Sequence, residues 1–463
     1  MRVYWLSVVP LGIGVALCML RPFAAAAGQS KRRMWVVVLS LLTSLVCAGM
    51  ALRLQHEEVS VFLGQQWALS QTGQTLLAFL FLATAVLIAT AGRTREVEPF
   101  CGPALVSLGL LSAVILLQFQ QLSFVLLPTA LVVLTLSVPA APPSVRGASR
   151  FLALVTLPIP FMVACFALLD RLALFPDELA LVDLGGLLVI PCVALWLTLF
   201  PFQGTTRLWA EGQVPLAPAF LWIAKDWVVV CLLLTFWTRY PALRTESTAA
   251  VLGILGLATS VVSGVWALVQ SDPSAVLACA ALCELGMVVQ GLATNSSDGL
   301  QGALILLVGR SFAVLLATSA LAVLAAPPGL PGAESPTRGG LPRWQTLLPL
   351  VTFSVGVLSL AGAPPLVGFL GRQHLYTAIR AQNPSVLWAW LPASFGLALG
   401  LIRSGWCMRH SARLSQARST RNLPAFFAMC LLLLCFLWFG LHPQPILRLI
   451  LDVAAPWMPP SAL

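Results

Sequence analysis

Apolar residues run along this chain in blocks of about twenty, the length a helix needs to cross a hydrocarbon core of roughly 30 Å. The blocks fall near 3–20, 34–52, 74–91, 100–118, 122–140, 151–169, 181–201, 216–238, 247–270, 274–294, 300–325, 345–382, 386–408 and 424–441, which predicts an all-α polytopic membrane protein of about fourteen helices. The block 345–382 is too long for one straight crossing and carries Gly362-Ala-Pro-Pro-Leu-Val-Gly-Phe-Leu-Gly in its middle. It reads as one helix interrupted at Pro364 and Pro365, a break that a bilayer tolerates only where it is buried in protein or lines a hydrated cavity. The block 181–201 runs into Phe200-Pro-Phe-Gln and predicts a second break at Pro201. No loop is long enough for a soluble domain; the longest, 326–344, is Pro/Gly-rich and reads as a linker. The first block begins almost at Met1 and runs to Leu20 without an A-x-A type cleavage site, as a retained helix does.

Composition agrees. Hydrophobic residues make up 59% of the chain and charged residues 9%, against about 25% charged in soluble domains. The net charge of +10 is an asymmetry between loops, and it calls for no nucleic acid. If the helices alternate, most Lys and Arg fall on the side reached after the first helix, including Arg21, Lys31, Arg32, Arg33, Arg409, Arg413, Arg418 and Arg421. The positive-inside rule makes that side cytoplasmic, with both termini outward in a cell inner (plasma) membrane. The fifteen tryptophans are expected mainly as anchors at the lipid interface.

Against this apolar background a few charges stand out. Lys225 is one of two lysines and lies inside the block 216–238; Glu284, Arg310 and Arg372 also lie within apolar blocks. An ionisable group there costs roughly 3 kcal/mol or more and marks an ion pathway or a buried partner. Lys225 stands about nine residues into its helix, roughly 14 Å deep, near the middle of the core. Asp226 follows it directly, and the two read either as an ion-paired structural element or as functional charges; sequence neighbours do not face each other on an α-helix, so each is expected to need a partner elsewhere. Glu284 reads either as a proton site or as the counter-charge of Arg310 or Lys225. Arg372 either biases its neighbours or satisfies carbonyls freed at the break. Asp272 begins a helix, as an N-terminal cap does. The Asn295-Ser-Ser sequon has meaning only in a secretory eukaryote.

Cofactor chemistry finds no foothold. The eleven cysteines are mostly isolated in apolar blocks, and the closest pairs, Cys279/Cys283 and Cys430/Cys435, lack C-x-x-C spacing. They read as small buried hydrophobes. Of four histidines, His56 and His442 lie in loops, and there is neither a Gly-rich phosphate motif nor a Glu-x-x-His pair. No metal, flavin, cluster or quinone site is expected.

Three stretches resemble a known family. Gln270-Ser-Asp-Pro through Glu284-Leu-Gly is similar to "Q-x-D-x-K-R-x-x-A-Y-S-S-x-x-x-x-G" of the antiporter-like subunits of respiratory complex I, the NADH-quinone oxidoreductase subunit N/M/L type. Gly362-Ala-Pro-Pro-Leu-Val-Gly-Phe-Leu-Gly-Arg resembles its "G-x-P-P-x-x-G-F-x-G-K", and Phe200-Pro-Phe-Gln with Trp209 resembles "P-F-H-x-W". The matches fall in order across about 180–380. The family includes subunits of membrane hydrogenases, multisubunit ion antiporters and inorganic-carbon uptake complexes.

The resemblance implies two inverted five-helix repeats, each with a discontinuous helix, and a midplane row of ionisable groups that relays protons, an arrangement common among carriers. It divides the single membrane domain 1–463 into helices 1–3 (1–99), a first repeat (100–238), a second repeat (247–408) and a C-terminal helix and tail (409–463). Transferred by position, Lys225 falls at or one residue from the family's central lysine, with Asp226 as a rival. Glu284 and Arg310 stand near family histidines, and Arg372 takes the place of a lysine or glutamate. Two departures matter: the family's fifth-helix glutamate is replaced by Ser123 and its seventh-helix lysine by Trp196. Arginine stays protonated whereas a buried lysine is able to release its proton, so Arg310 and Arg372 supply electrostatic bias while Lys225, Glu284 and Asp226 remain the candidate relay groups. If Lys225 and Glu284 interact, they titrate as a unit.

The expectation is a proton-translocating subunit of a complex-I-like assembly with a reduced relay. Its partners would be other membrane subunits, soluble redox subunits and lipid. The alternatives are a non-transporting scaffold of the membrane arm, and a subunit of an ion antiporter or inorganic-carbon uptake complex.

Overall fold

A computed structural model of the protein describes residues 2–23, 29–54, 59–92, 94, 96–137, 142–174, 179–211, 214–325, 343–415 and 423–457. The expected linker at 326–344 lies almost wholly outside them, as do His56, Arg418 and Arg421. In chain order the helices are α1 (Trp5–Phe23), α2 (Gln29–Arg53), α3 (Gln71–Ala91), α4 (Val97–Leu116), α5 (Gln120–Leu134), α6 (Pro142–Thr156), α7 (Pro158–Leu174), α8 (Leu179–Trp196), α9 (Gly204–Ala210) and α10 (Leu216–Phe220). A π-turn over Leu221–Lys225 joins α10 to α11 (Asp226–Arg239). There follow α12 (Glu246–Trp266), α13 (Pro273–Ala293), α14 (Ser297–Leu324), α15 (Arg343–Leu360), α16 (Val367–Gln382), α17 (Ser385–Ser415), α18 (Leu423–Leu441) and α19 (Gln444–Ala454).

Among the described residues, eleven helical stretches are long and apolar enough to cross a membrane, the joined α6–α7 stretch Val145–Leu172 being one. Three shorter apolar helices, Trp5–Leu20, Leu181–Trp196 and Leu347–Leu360, stand at three further expected spans. The chain is a multi-pass membrane protein. Polar caps set several helix starts: Ser70, Thr245 and Ser296 each accept a backbone N–H three residues on, at α3, α12 and α14. Asp272 holds the corresponding place before α13 but makes no side-chain capping hydrogen bond; its carbonyl accepts from the Val276 N–H at 3.0 Å.

The centre consists of α13, α14 and the α10–α11 helix, whose side chains are almost all buried. Close backbone approach holds it together: a Cβ on Gly286 would lie 2.5 Å from the Gly256 carbonyl oxygen, so α13 and α12 meet as only glycines allow. Trp67, Trp196, Trp209, Trp222, Trp227, Trp237 and Trp390 also face inward. This corrects the expectation of interfacial anchors: the wide rings fill space between helices, as where Trp209 packs on Phe151 with centroids 5.2 Å apart. Trp5, Trp35, Trp388, Trp406 and Trp438 are exposed.

Two elements were not foreseen. Ser60–Phe62 and Gln65–Trp67 pair as a β-hairpin through Leu63 and Gly64, both at positive φ, the conformation of a two-residue I′ turn. The amphipathic α19 buries Ile446, Ile450, Val453 and Ala454 on one face, and the Thr72 hydroxyl donates to the Val453 carbonyl at 3.1 Å.

Candidate functional site

Two helices stop in the middle of the protein, and they stop in the same way. At the end of α8 the N–H groups of Leu197, Thr198 and Leu199 bond to the carbonyls of Val193, Leu195 and Ala194. At the end of α15 those of Ala361, Gly362 and Ala363 bond to Val357, Ser359 and Leu358. Both are Schellman turns, with Thr198 (φ 55) and Gly362 (φ 82) as the left-handed residues. Pro201 and Pro365 follow in the same register, each after a cis peptide bond, and Pro364 precedes Pro365.

Such a turn leaves one carbonyl near the helix end without a backbone donor. At the first break it is Trp196 O, because the Phe200 N–H is diverted to the Thr259 hydroxyl at 2.8 Å. At the second it is Leu360 O, because position 364 is proline and has no N–H. Each carbonyl receives a buried cation: Lys225 Nζ donates to Trp196 O at 2.7 Å, and Arg372 Nη2 donates to Leu360 O at 2.5 Å. A positive charge at a helix C-terminus also complements the negative end of the helix dipole. Arg372 therefore does satisfy a carbonyl freed at the break. It lies across Gly362, where a Cβ would fall 2.6 Å from its Nε and Nη1, and its Nη1 also donates to the Ser394 hydroxyl at 3.1 Å.

Between the breaks the ionisable side chains form a row. Lys225 Nζ lies 2.7 Å from Asp226 Oδ1, and Arg310 Nη2 lies 2.7 Å from Asp226 Oδ2; all three side chains are wholly buried. The two neighbours thus do meet, contrary to α-helical spacing, while each also has the expected partner elsewhere, Trp196 O for Lys225 and Arg310 for Asp226. Lys225 closes the π-turn, whose wider winding departs from α-helical spacing, and its long stem lets the ammonium reach the carboxylate of the next residue. Arg310 on α14 secures that turn: Nη1 donates to the Trp222 carbonyl within it, and Nε donates to Ala281 O on α13 at 2.8 Å. Beside it Trp227 Nε1 donates to the Ser311 hydroxyl at 2.9 Å.

Glu284 stands one helical turn after Ala281 on α13, fully buried, and neither carboxylate oxygen has a hydrogen-bond partner in the protein. Its Oε1 faces Gly368, where a Cβ would lie 3.1 Å away, and the charges acting on it come from Arg372 and Arg310. Arg372 Nε is likewise without a partner. A buried polar atom in this state is uncommon and calls for an explanation. The order from the first break to the second is Trp196 O, Lys225, Asp226, Arg310, Glu284, Arg372, Leu360 O.

The sequence-predicted residues Lys225, Asp226, Glu284, Arg310 and Arg372 thus come together, with Pro201, Pro364 and Pro365 at the breaks. Trp196, taken from the sequence as a departure, supplies a carbonyl to Lys225 while its ring stacks on Phe124. The buried Ser123 hydroxyl points back to Phe119 O at 3.5 Å. Among the described residues, no group of three His, Cys, Asp or Glu side chains could hold a metal ion.

A family profile, "NADH:quinone oxidoreductase/Mrp antiporter, TM", matches residues 184–400, the stretch that holds both breaks and the whole row. Among curated proteins, NADH-quinone oxidoreductase subunit N of Geotalea uraniireducens is 26% identical over 287 residues, 59% of this chain and 57% of that protein. The same subunit of Methylococcus capsulatus is 28% identical over 284 residues, 60% and 56% of the two chains. The matches thus span little more than half the length of these relatives. Among solved structures, a chain of the archaeal membrane-bound sulfane sulfur reductase superposes with a TM-score of 0.74 at 15% identity, covering 98% of both chains. A chain of Thermus thermophilus respiratory complex I with bound NADH gives 0.73 at 19% identity, covering 98% of this chain and 99% of that one. A chain of the Mrp complex from Dietzia sp. gives 0.71 at 17% identity, covering 99% of this chain and 52% of that one. At these identities the superpositions establish the fold.

Proposed function

Because the chain belongs to the antiporter-like membrane-subunit family of NADH:quinone oxidoreductases and Mrp antiporters, we propose that it moves protons as a subunit of a complex-I-like assembly in the cell inner membrane, both termini outward. The relay is reduced: Lys225, Asp226 and Glu284 are the groups that gain and lose protons, and Arg310 and Arg372, which hold theirs, set the field. Redox chemistry and its cofactors belong to soluble partner subunits, and other membrane subunits flank this chain. The division into repeats at 100–238 and 247–408 is supported by the matching turns at Thr198 and Gly362.

One observation carries this reading. Three ionisable side chains, Lys225, Asp226 and Glu284, are wholly buried between two helix breaks, and neither carboxylate oxygen of Glu284 has a hydrogen-bond partner in the protein. Buried charges kept only for stability are expected to be fully paired, since an unpaired one costs several kcal/mol. The test replaces Lys225 by alanine and by arginine in the host membrane. Both should stop pumping while the assembly forms, the arginine because it keeps the charge and cannot release a proton.

A second reading, a non-transporting scaffold, draws on the aromatic side chains packed at the first break. A third, a subunit of an ion antiporter or inorganic-carbon uptake complex, draws on the Dietzia Mrp likeness in fold. Partners identified by mass spectrometry after purification in mild detergent separate them: iron–sulfur or hydrogenase-like subunits favour the first reading, antiporter-like membrane proteins or a soluble zinc protein the third.

A further inference from the structure

The two breaks share one backbone turn but open onto different surroundings. Around the second are Glu284 and Arg372 with unpartnered polar atoms. The first also has buried polar groups, Lys225, Asp226 and the unpartnered Gln203 Oε1, but the side chains packed against the Trp196 ring are aromatic and aliphatic. The Trp196 indole lies on Phe124 with centroids 5.8 Å apart and planes 14° from parallel. Phe124 meets Phe166 and Phe236 edge-on at 5.6 and 6.0 Å. The indole N–H donates to Val155 O at 3.3 Å, which fixes the ring in place. The gap that remains measures about 10 Å³ and is walled by Phe124, Met162, Cys192, Trp196, Phe236 and neighbouring valines and leucines. The Cys192 thiol is already turned to Pro158 O and Leu188 O at 3.5 and 3.4 Å.

A proton moves along hydrogen-bonding groups or water, and a gap of this size with apolar walls stays dry. We propose that Trp196 seals the first half of the chain, so that Lys225 exchanges protons with the second half alone. The residue has two tasks: its carbonyl holds the Lys225 ammonium, and its ring closes the space beyond. Lys225 is then the end of a one-sided path, and Trp196 is a positioning residue rather than a proton carrier. This inference rests on the proton-relay reading.

The test uses the full chain in lipid vesicles, with a charged, water-soluble maleimide applied to both faces and the modified cysteines mapped by mass spectrometry. Cys192 of the wild type should remain unmodified, and Trp196→Ala should lose that protection. Vesicles holding Trp196→Ala should lose an imposed pH gradient faster than wild type, Trp196→Phe should hold it, and adding Lys225→Ala to Trp196→Ala should restore retention. Modification of Cys192 in the folded wild type would overturn the seal, and needs no variant to fold. So would a Trp196→Ala chain with a reactive Cys192 that holds the gradient as the wild type does. Neither readout uses driven pumping, so the two proposals fail separately: pumping that survives Lys225→Ala would defeat the relay and leave Cys192 protected.

Discussion

Asp226→Asn removes a carboxylate that touches two buried cations while keeping the shape of the side chain. Lys225 and Arg310 each lose a contact of 2.7 Å, and with every partner wholly buried there is no solvent to screen the charges left behind. Removing one partner of a buried ion pair costs about 3–5 kcal/mol. The loss is expected near the upper end of that range rather than at twice it, because Arg310 keeps the carbonyls of Trp222 and Ala281 and Lys225 keeps that of Trp196. Adding Lys225→Met removes one stranded charge, so the double variant should regain about 1–3 kcal/mol over Asp226→Asn alone, the range of coupling between contacting residues. The assay is chemical unfolding in mild detergent followed by tryptophan fluorescence, for the wild type, both single variants and the double. A cost below about 1 kcal/mol, as for an exposed pair, would refute the reasoning. So would a double variant whose cost equals the sum of the singles.

Glu284→Gln should cost less stability than Asp226→Asn, since no hydrogen bond to the carboxylate is lost, yet it should lower proton transport by the host assembly. Unfolding and pH-gradient measurements on one preparation check both halves; a cost as large as that of Asp226→Asn would mean Glu284 is a structural counter-charge. Arg372→Ala leaves Leu360 O without its donor and should destabilise by about 1.5–3 kcal/mol, the worth of a charged hydrogen bond. Arg372→Lys should recover part of this with a single ammonium; equal loss in both variants would mean that the guanidinium's packing over Gly362 matters more than the bond.

What could be read from the sequence follows from how local each signal is. The spans and both helix breaks were legible because hydropathy and proline act over a few residues: Pro364 removes the donor that would have carried α15 onward, whatever surrounds it. The burial of Lys225, Glu284, Arg310 and Arg372 was legible too, since each sits in an apolar block. Their pairing was not. That Lys225 reaches Asp226 depends on the π-turn at Leu221–Lys225, and the Trp222 carbonyl in that turn is held by Arg310, which is distant in the chain. The inward tryptophans depart from expectation for a similar reason. Interfacial preference is a property of the residue type, whereas Trp209 and Trp227 are placed by neighbours on other helices. The hairpin at Ser60–Trp67 does carry a signal, the two-residue Leu63-Gly64 loop between alternating positions, but the apolar blocks around it are far stronger.

The central question is whether Lys225 passes protons. The most direct measurement is proton pumping by the host assembly carrying Lys225→Ala, taken together with the amount of assembly in the membrane. Loss of pumping with assembly unchanged is the predicted result. Pumping at the wild-type rate, or pumping lost only in proportion to lost assembly, would contradict it.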